Sequence, residues 1–422
     1  MKLCTKTTFT ALFILLGFCA FAQTDTAQQV AANRANSKAQ QQKPYVILIS
    51  ADGFRYDYAK KYHATHLQEL SSGGIEAESM VPSFPSVTFP NHYSIATGMY
   101  PSHHGLVANQ FYDPALARRY SMKGATVTEP VWYGGTPLWV LAEQQQMLSA
   151  SFYWVGSEAA EKGILPTYYY HYSEKINVHN RIQDIKNWLN LPAEKRPHFI
   201  AVYFPEVDHQ GHKYGPDAPE TGQAVKFIDS AVFELTKAVK STGLAVNFVF
   251  LSDHGMTKVT AENIVPITGI DTAKFITSGE GVLINVYAKK GYQSAVKDAY
   301  SALQKNAKDY SVYLKADVPA KLHYNATDDR YGRIGDIVII PHYPHLLGLN
   351  NKSTSIGVHG FDPTEVKDMH ATFYAWGPNF KKGLKIPSFE NVNVYPIITK
   401  ILGLNITEKI DGTGSVADAI VK

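Results

Sequence analysis

Four stretches of the chain carry acids and imidazoles where a strand would end. Asp52 follows the apolar run 45–50 (YVILIS). Asp208, His209 and His212 follow the run 199–204 (FIAVYF), and Asp253 and His254 follow 246–251 (VNFVFL). A fourth contribution, His359 with Asp362, sits in a glycine-containing loop after another strand-like stretch. Oxygen and imidazole donors in one mixed set suit zinc or another borderline divalent ion, and more than four of them call for two ions. That is the ligand chemistry of a dinuclear hydrolase. Each element alone has a plainer explanation. Asp52 can cap a turn, Asp208 can open a helix with His212 as a surface residue four positions on, and Asp253-His254-Gly255 can be a turn. Their recurrence at successive strand ends is what those explanations leave over.

Such a site needs a nucleophile, and residues 82–98 (PSFPSVTFPNHYSIATG) offer one. Thr88 follows a proline-rich approach that fixes the backbone, and residues 91–97 can form a helix whose amino end favours negative charge. A threonine hydroxyl is nearly inert at neutral pH, so it must lie against a cation to ionise. A cap or turn role is the alternative for Thr88.

The elements that would position these groups are legible as runs. The stretches 45–50, 199–204, 246–251, 281–286 (GVLINV) and 337–340 (IVII) alternate with helical patterns at 221–240 and 293–305. Continuous apolar runs separated by helices predict an α/β sandwich with a largely parallel sheet, whose loops beyond the strand carboxyl ends carry function. No repeat is visible, and residues 43–422 read as one large domain.

Composition agrees. The 422 residues are 45% hydrophobic and 18% charged, which excludes disordered and fibrous chains. Forty cations against 37 acids give +3, too little for a nucleic-acid groove built on bulk charge. Lys2 and Lys6 precede an apolar run, 9–18, that ends in Ala20-Phe21-Ala22. Residues 1–22 therefore read as a secretory signal peptide, and the product as a periplasmic or secreted protein. The run falls short of the roughly 20 residues a spanning helix needs. Both cysteines, Cys4 and Cys19, lie in that segment, so the exported chain has no disulfide to rely on. Lipid anchoring at Cys19 is the minor alternative, since Phe18 is a poor neighbour for it. Residues 23–42, rich in Gln, Ala and Asn, read as a flexible linker because they have little to bury.

At this point the motifs carry a resemblance. ISADGFRYDY (49–58), the stretch 82–114, EPVWYGGTPLWV (129–140), 194–216, LSDHGM (251–256) and 357–380 resemble the nucleotide pyrophosphatase/phosphodiesterase family of the alkaline phosphatase superfamily. The resemblance implies an alkaline phosphatase-like α/β sandwich with a mostly parallel central sheet and a small capping insertion at about 260–340. It implies two Zn2+ per chain: Asp208, His212 and His359 on one, and Asp52, Thr88, Asp253 and His254 on the other. His359 is chosen over His370 on that ground, and His209 is left out. It makes Thr88 the nucleophile and Asn109 a donor to a phosphate oxygen. Phe89 and Tyr172 become a clamp on a nucleobase, with Tyr203 nearby and Trp154 and Glu158 on the base-facing wall. The implied reaction is cleavage of nucleotide phosphodiester or phosphoanhydride bonds through a covalent Thr88 intermediate, releasing nucleoside 5′-monophosphates. The implied partner is a nucleotide or other small phosphodiester, with no obligate protein partner. The alternatives are a phosphomonoesterase or phosphonate hydrolase on the same core, or a noncatalytic nucleotide-binding protein. No Lys/Arg pair for a dianionic phosphate is visible, which favours diesters.

Overall fold

The computed structural model describes residues 26–279, 281–349 and 355–422; the signal-peptide reading of 1–22 lies outside them. A nine-stranded sheet runs through the molecule in the order Gln29–Val30, Tyr168–Tyr170, Ser149–Phe152, Phe199–Phe204, Tyr45–Ala51, Val246–Leu251, Phe373–Trp376, Ile75–Ala77, Leu384–Ile386. Five of its eight pairings are parallel, and the antiparallel ones involve Gln29–Val30 and Phe373–Trp376.

The three central strands are continuous apolar runs because both faces are covered. Along Tyr45–Ala51, Val46 and Leu48 join a core that includes Tyr93 and Ile95 of helix Thr88–Thr97 and Ile397 and Ile398 of helix Val394–Leu402. Ile47, Ile49 and Ala51 point the other way, into a core with Ile182 and Ile185 of helix Val178–Leu189 and Val225, Ile228 and Val232 of helix Pro219–Lys240. Strand alternation thus feeds two layers from one run, at about 1.5–3 kcal/mol for each large aliphatic buried.

Two of the five apolar runs do not belong to this sheet. Ile284–Ala288 and Ile337–Pro341 pair antiparallel in a separate four-stranded sheet, ordered Phe275–Ser278, Ile284–Ala288, Ile337–Pro341, Tyr310–Leu314. With helix Val296–Lys305 it has its own core around Ile284, Val286, Leu303 and Ile339. Periodicity reports burial, not which sheet does the burying. Arg333 ties this unit to the main body. Its Nε lies 2.8 Å from Asp113 Oδ2, and its two Nη groups donate to the carbonyls of Gly105, Trp132 and Val131.

The linker expected at 23–42 needs correcting over its described part, 26–42. Gln29–Val30 pairs with Tyr168–Tyr170, and buried Asn36 accepts the Leu148 N–H and donates to the carbonyls of Ala193 and Arg196. A composition argument counts only apolar burial. This segment is held instead by polar side chains satisfying backbone groups. Among the described residues, no helix is long and apolar enough to cross a membrane.

Candidate active site

Phe199–Phe204, Tyr45–Ala51 and Val246–Leu251 are parallel neighbours, so their carboxyl ends open on one place. Asp52 comes directly after the middle strand, Asp253 and His254 after the third, and Asp208 from the first turn of helix Glu206–Tyr214. Gly53, at φ +69°, permits their approach: a Cβ there would sit 2.9 Å from the Asp208 Cα. His359 arrives just after strand Gly357–Val358, which pairs with Thr257–Lys258 beyond the Asp253-His254 turn.

All six predicted acid and imidazole ligands converge. His254 Nε2 lies 3.1 Å from Asp253 Oδ2 and 3.3 Å from Asp52 Oδ1. His212 Nε2 lies 3.4 Å from Asp208 Oδ1 and 3.1 Å from His359 Nε2, which is 3.6 Å from the same Asp208 oxygen. Asp52, Asp253 and His254 form one group with metal-binding spacing; Asp208, His254 and His359 form an overlapping one.

The donor chemistry tests whether cations fit. Each histidine places Nδ1 on a backbone carbonyl: Gly255 for His254, Gly357 for His212 and Ser86 for His359. Those bonds require protonated Nδ1, which turns an Nε2 lone pair toward the carboxylates and, for His212 and His359, toward each other. Asp52 Oδ1, Asp208 Oδ1 and Asp253 Oδ2 are buried with no hydrogen-bond donor. Lone pairs facing lone pairs in a dry pocket are what cations between them would satisfy, so the residues fit a metal centre.

The electrostatics point the same way. Burial, then Asp253 and Asp208, push the Asp52 carboxyl well above its ordinary range. Burial also opposes charge on Asp253, but the adjacent His254 and His92 outweigh it and hold that carboxyl well below. His359 is driven well below its usual value by burial and by His254 and His212. Burial and neighbouring like charge thus drive Asp52 and His359 toward their neutral forms, while opposite charge beside Asp253 favours its ionised one.

Thr88 is the first residue of helix Thr88–Thr97, and its Oγ1 lies 3.2 Å from His254 Nε2. The helix starts three residues before the expected 91, because Pro90 falls in the first turn, where no backbone donor is required. Asn109 Oδ1 accepts the Phe89 N–H at 2.9 Å, which leaves Nδ2 as the donor of that amide. A cavity of ≈ 620 Å³ opens here, lined by Asp52, Thr88, Phe89, Trp154, Glu158, Tyr172, Tyr203 and Asp208 among others.

Three wall residues do something other than face a ligand directly. The Tyr203 hydroxyl donates to Asp52 Oδ2 at 2.6 Å, leaving Oδ1 of that carboxylate for the cluster. Trp154 is 1% exposed, and its Nε1 donates to the His92 carbonyl. Glu158 accepts the Tyr172 N–H and meets His171. His370 stays apart, on Ser79 and the Pro363 carbonyl, and His209 lines the cavity beside Glu174.

Sequence reasoning missed His92. Its Nδ1 is 3.0 Å from the Thr88 carbonyl and 3.2 Å from Asp253 Oδ2, and its Nε2 is 2.8 Å from Ser50 Oγ. It braces the turn that carries Thr88 against the ligand strand. The signal was its place four residues after Thr88 on one helix face.

A family model described as type I phosphodiesterase / nucleotide pyrophosphatase matches residues 46–362. The chain is 33% identical over 380 residues to mouse (Mus musculus) ectonucleotide pyrophosphatase/phosphodiesterase family member 1, covering 86% of this chain and 41% of that protein's length. It is 34% identical over 386 residues to an uncharacterized pyrophosphatase/phosphodiesterase of Schizosaccharomyces pombe, covering 85% of this chain and 77% of the other. Among solved structures, murine family member 5 in an inactive form with AMP superposes with a TM-score of 0.83 at 26% identity, over 90% of this chain and 100% of that one. Fold, ligand cluster and matched length lead to one assignment: the chain belongs to the type I phosphodiesterase / nucleotide pyrophosphatase family.

Proposed function

We propose that the protein is an exported phosphodiesterase that cleaves nucleotide phosphodiester or phosphoanhydride bonds, releases nucleoside 5′-monophosphates and uses Thr88 as its nucleophile. The observation that carries this is the Thr88 hydroxyl, 3.2 Å from His254 at a helix start and opening on a cavity that Phe89 and Tyr172 also line. Relatives named as pyrophosphatases and phosphodiesterases, including the venom phosphodiesterase of Macrovipera lebetinus, support it, as does the AMP bound to the family member 5 structure.

Asp52, Asp253 and His254, with Thr88, would hold one Zn2+, and Asp208, His212 and His359 the other. When bound, the ions supply the positive charge that ionises a hydroxyl and offsets charge on phosphate oxygens. The chain's own residues do the rest. Thr88 Oγ1 bonds to phosphorus as the bond to the leaving oxygen breaks, giving a nucleotidyl-threonine; water then displaces Thr88 from phosphorus. Two displacements give net retention. Asn109 Nδ2 donates to a nonbridging oxygen, whose charge persists through the loose transition state. The helix amino end stabilises anionic Thr88. Stacking on Phe89 and Tyr172 contributes about 1–3 kcal/mol per base.

A phosphomonoesterase on the same core is disfavoured, because among the described residues Lys123 is the sole lysine or arginine lining the cavity. Turnover on thymidine 5′-monophosphate p-nitrophenyl ester, bis-p-nitrophenyl phosphate and p-nitrophenyl phosphate tests the reading. The nucleotide ester should be the best substrate and the monoester the worst; a leading monoester would overturn it. Mass spectrometry of the acid-quenched enzyme should find a nucleotidyl group on the peptide containing Thr88.

A further inference from the structure

Tyr172 is 45% exposed at the cavity, a condition in which an aromatic ring ordinarily samples several positions. It is held at both ends. Its backbone N–H donates to Glu158 Oε1 at 3.0 Å, and its phenol donates to Glu174 Oε1 at 2.9 Å. The second Glu158 oxygen lies 2.8 Å from His171 Nδ1, in the residue before the clamp. The Tyr172 ring stands edge-on to Tyr153 at 5.3 Å, and Tyr153 in turn lies under the Arg181 guanidinium.

Glu158 therefore commits both oxygens to the segment that presents Tyr172. The family resemblance would place this side chain on the base-facing wall, as a group that reads the base. Its partners are instead a backbone N–H and a neighbouring imidazole, neither of which belongs to a ligand. We propose that Glu158 is a positioning residue: it sets the place of Tyr172, and so governs how tightly any nucleobase is held, not which one.

The physical reason is preorganisation. Residues 171–175 belong to no helix or strand, so without the carboxylate their order would have to be imposed at each binding event and would weaken it. Glutamine at position 158 can still accept the Tyr172 N–H and can donate to His171 Nδ1, whereas alanine can do neither.

This inference rests on the nucleotide reading above, and its test separates the two. KM and kcat are measured for wild type, Glu158→Gln and Glu158→Ala on the p-nitrophenyl 5′-esters of adenosine, guanosine, cytidine and thymidine monophosphates, with bis-p-nitrophenyl phosphate as the baseless reference. Glu158→Ala should raise KM for all four nucleotides by the same factor, about tenfold relative to the reference, and Glu158→Gln should restore most of it. On a Tyr172→Ala background, Glu158→Ala should add nothing further. A changed ranking among the four bases would overturn the proposal in favour of direct base reading. Equal losses on the reference diester would overturn it in favour of general damage to the fold. A wild type with no advantage for any nucleotide ester would remove the nucleotide reading itself, and this inference with it.

Discussion

His254 and His359 stack face to face, with ring centroids 3.5 Å apart and 11° between planes. Two imidazolium ions could not share that geometry in a dry site, and burial together with its histidine neighbours already holds His359 well below its ordinary pKa. Each ring donates from Nδ1 to a carbonyl, so each presents a lone pair to a carboxylate cluster. The stack is where the two proposed ion sites meet.

Replacing His359 by alanine should therefore remove one site and disturb the other. The expected result is a loss of roughly 10²-fold or more in kcat on a nucleotide ester, since changing only the hydrogen-bond partner of a metal ligand already costs about 10–100-fold. Metal content by elemental analysis should fall from about two ions per chain to about one. A variant with full metal and full turnover would refute the ligand assignment.

Thr88→Ala should abolish turnover and leave the fold intact. Thr88 Oγ1 meets His254 at 3.2 Å, so little packing is lost and Tm should move by less than about 4 °C. Residual turnover within tenfold of wild type would mean that a different group attacks phosphorus.

Chelation should inactivate the enzyme reversibly, with Zn2+ restoring activity and Mg2+ failing, because imidazole donors suit zinc and not a hard oxygen-seeking ion. Stability should drop as well. Asp52, Asp208 and Asp253 would be left buried beside one another, with Asp52 already pushed well above its ordinary range. Differential scanning calorimetry with and without chelator reads this as a lower Tm.

His104 gives a pH prediction away from the site. It is buried, accepts the Leu106 N–H on Nδ1 and turns Nε2 to Ser94 Oγ and the Pro90 carbonyl. Burial pushes its pKa down to about 3, against 6.5 when unperturbed. Between those values the unfolded chain binds a proton that the folded chain refuses. The contribution is constant above 6.5 and lost as pH falls below it, by at most about 1.4 kcal/mol per unit. Urea unfolding from pH 7.5 to 5 should give a shallower decline for His104→Gln than for wild type; identical slopes would sink the idea.

Arg333→Ala should cost about 3–5 kcal/mol, since it strands Asp113 and three carbonyls in the interior. A urea midpoint within error of wild type would mean the four-stranded unit docks by other contacts.

The sequence made Asp52, Asp208, Asp253 and His254 of the candidate cluster legible because each comes soon after a central strand whose two faces are covered. Position along the chain then becomes position in space. Asp52 and Asp253 needed no more than the parallel register of their strands. His359 was open to confusion with His370, since a loop has no period and only a family resemblance separated them. Tyr203 and Glu158 appeared as wall residues because a motif reports proximity, while their hydrogen bonds run to Asp52 and to Tyr172. The attachment of residues 26–42 was illegible for a related reason: polar contacts leave no apolar pattern.

That attachment has a practical corollary for anyone preparing the protein. Gln29–Val30 covers the outer side of Tyr168–Tyr170, three consecutive tyrosines that would otherwise present a bare row of amides and carbonyls to any passing chain. A recombinant form begun at Lys43 would expose that border and invite strand-to-strand self-association, so solubility should favour versions that keep residues 26–42.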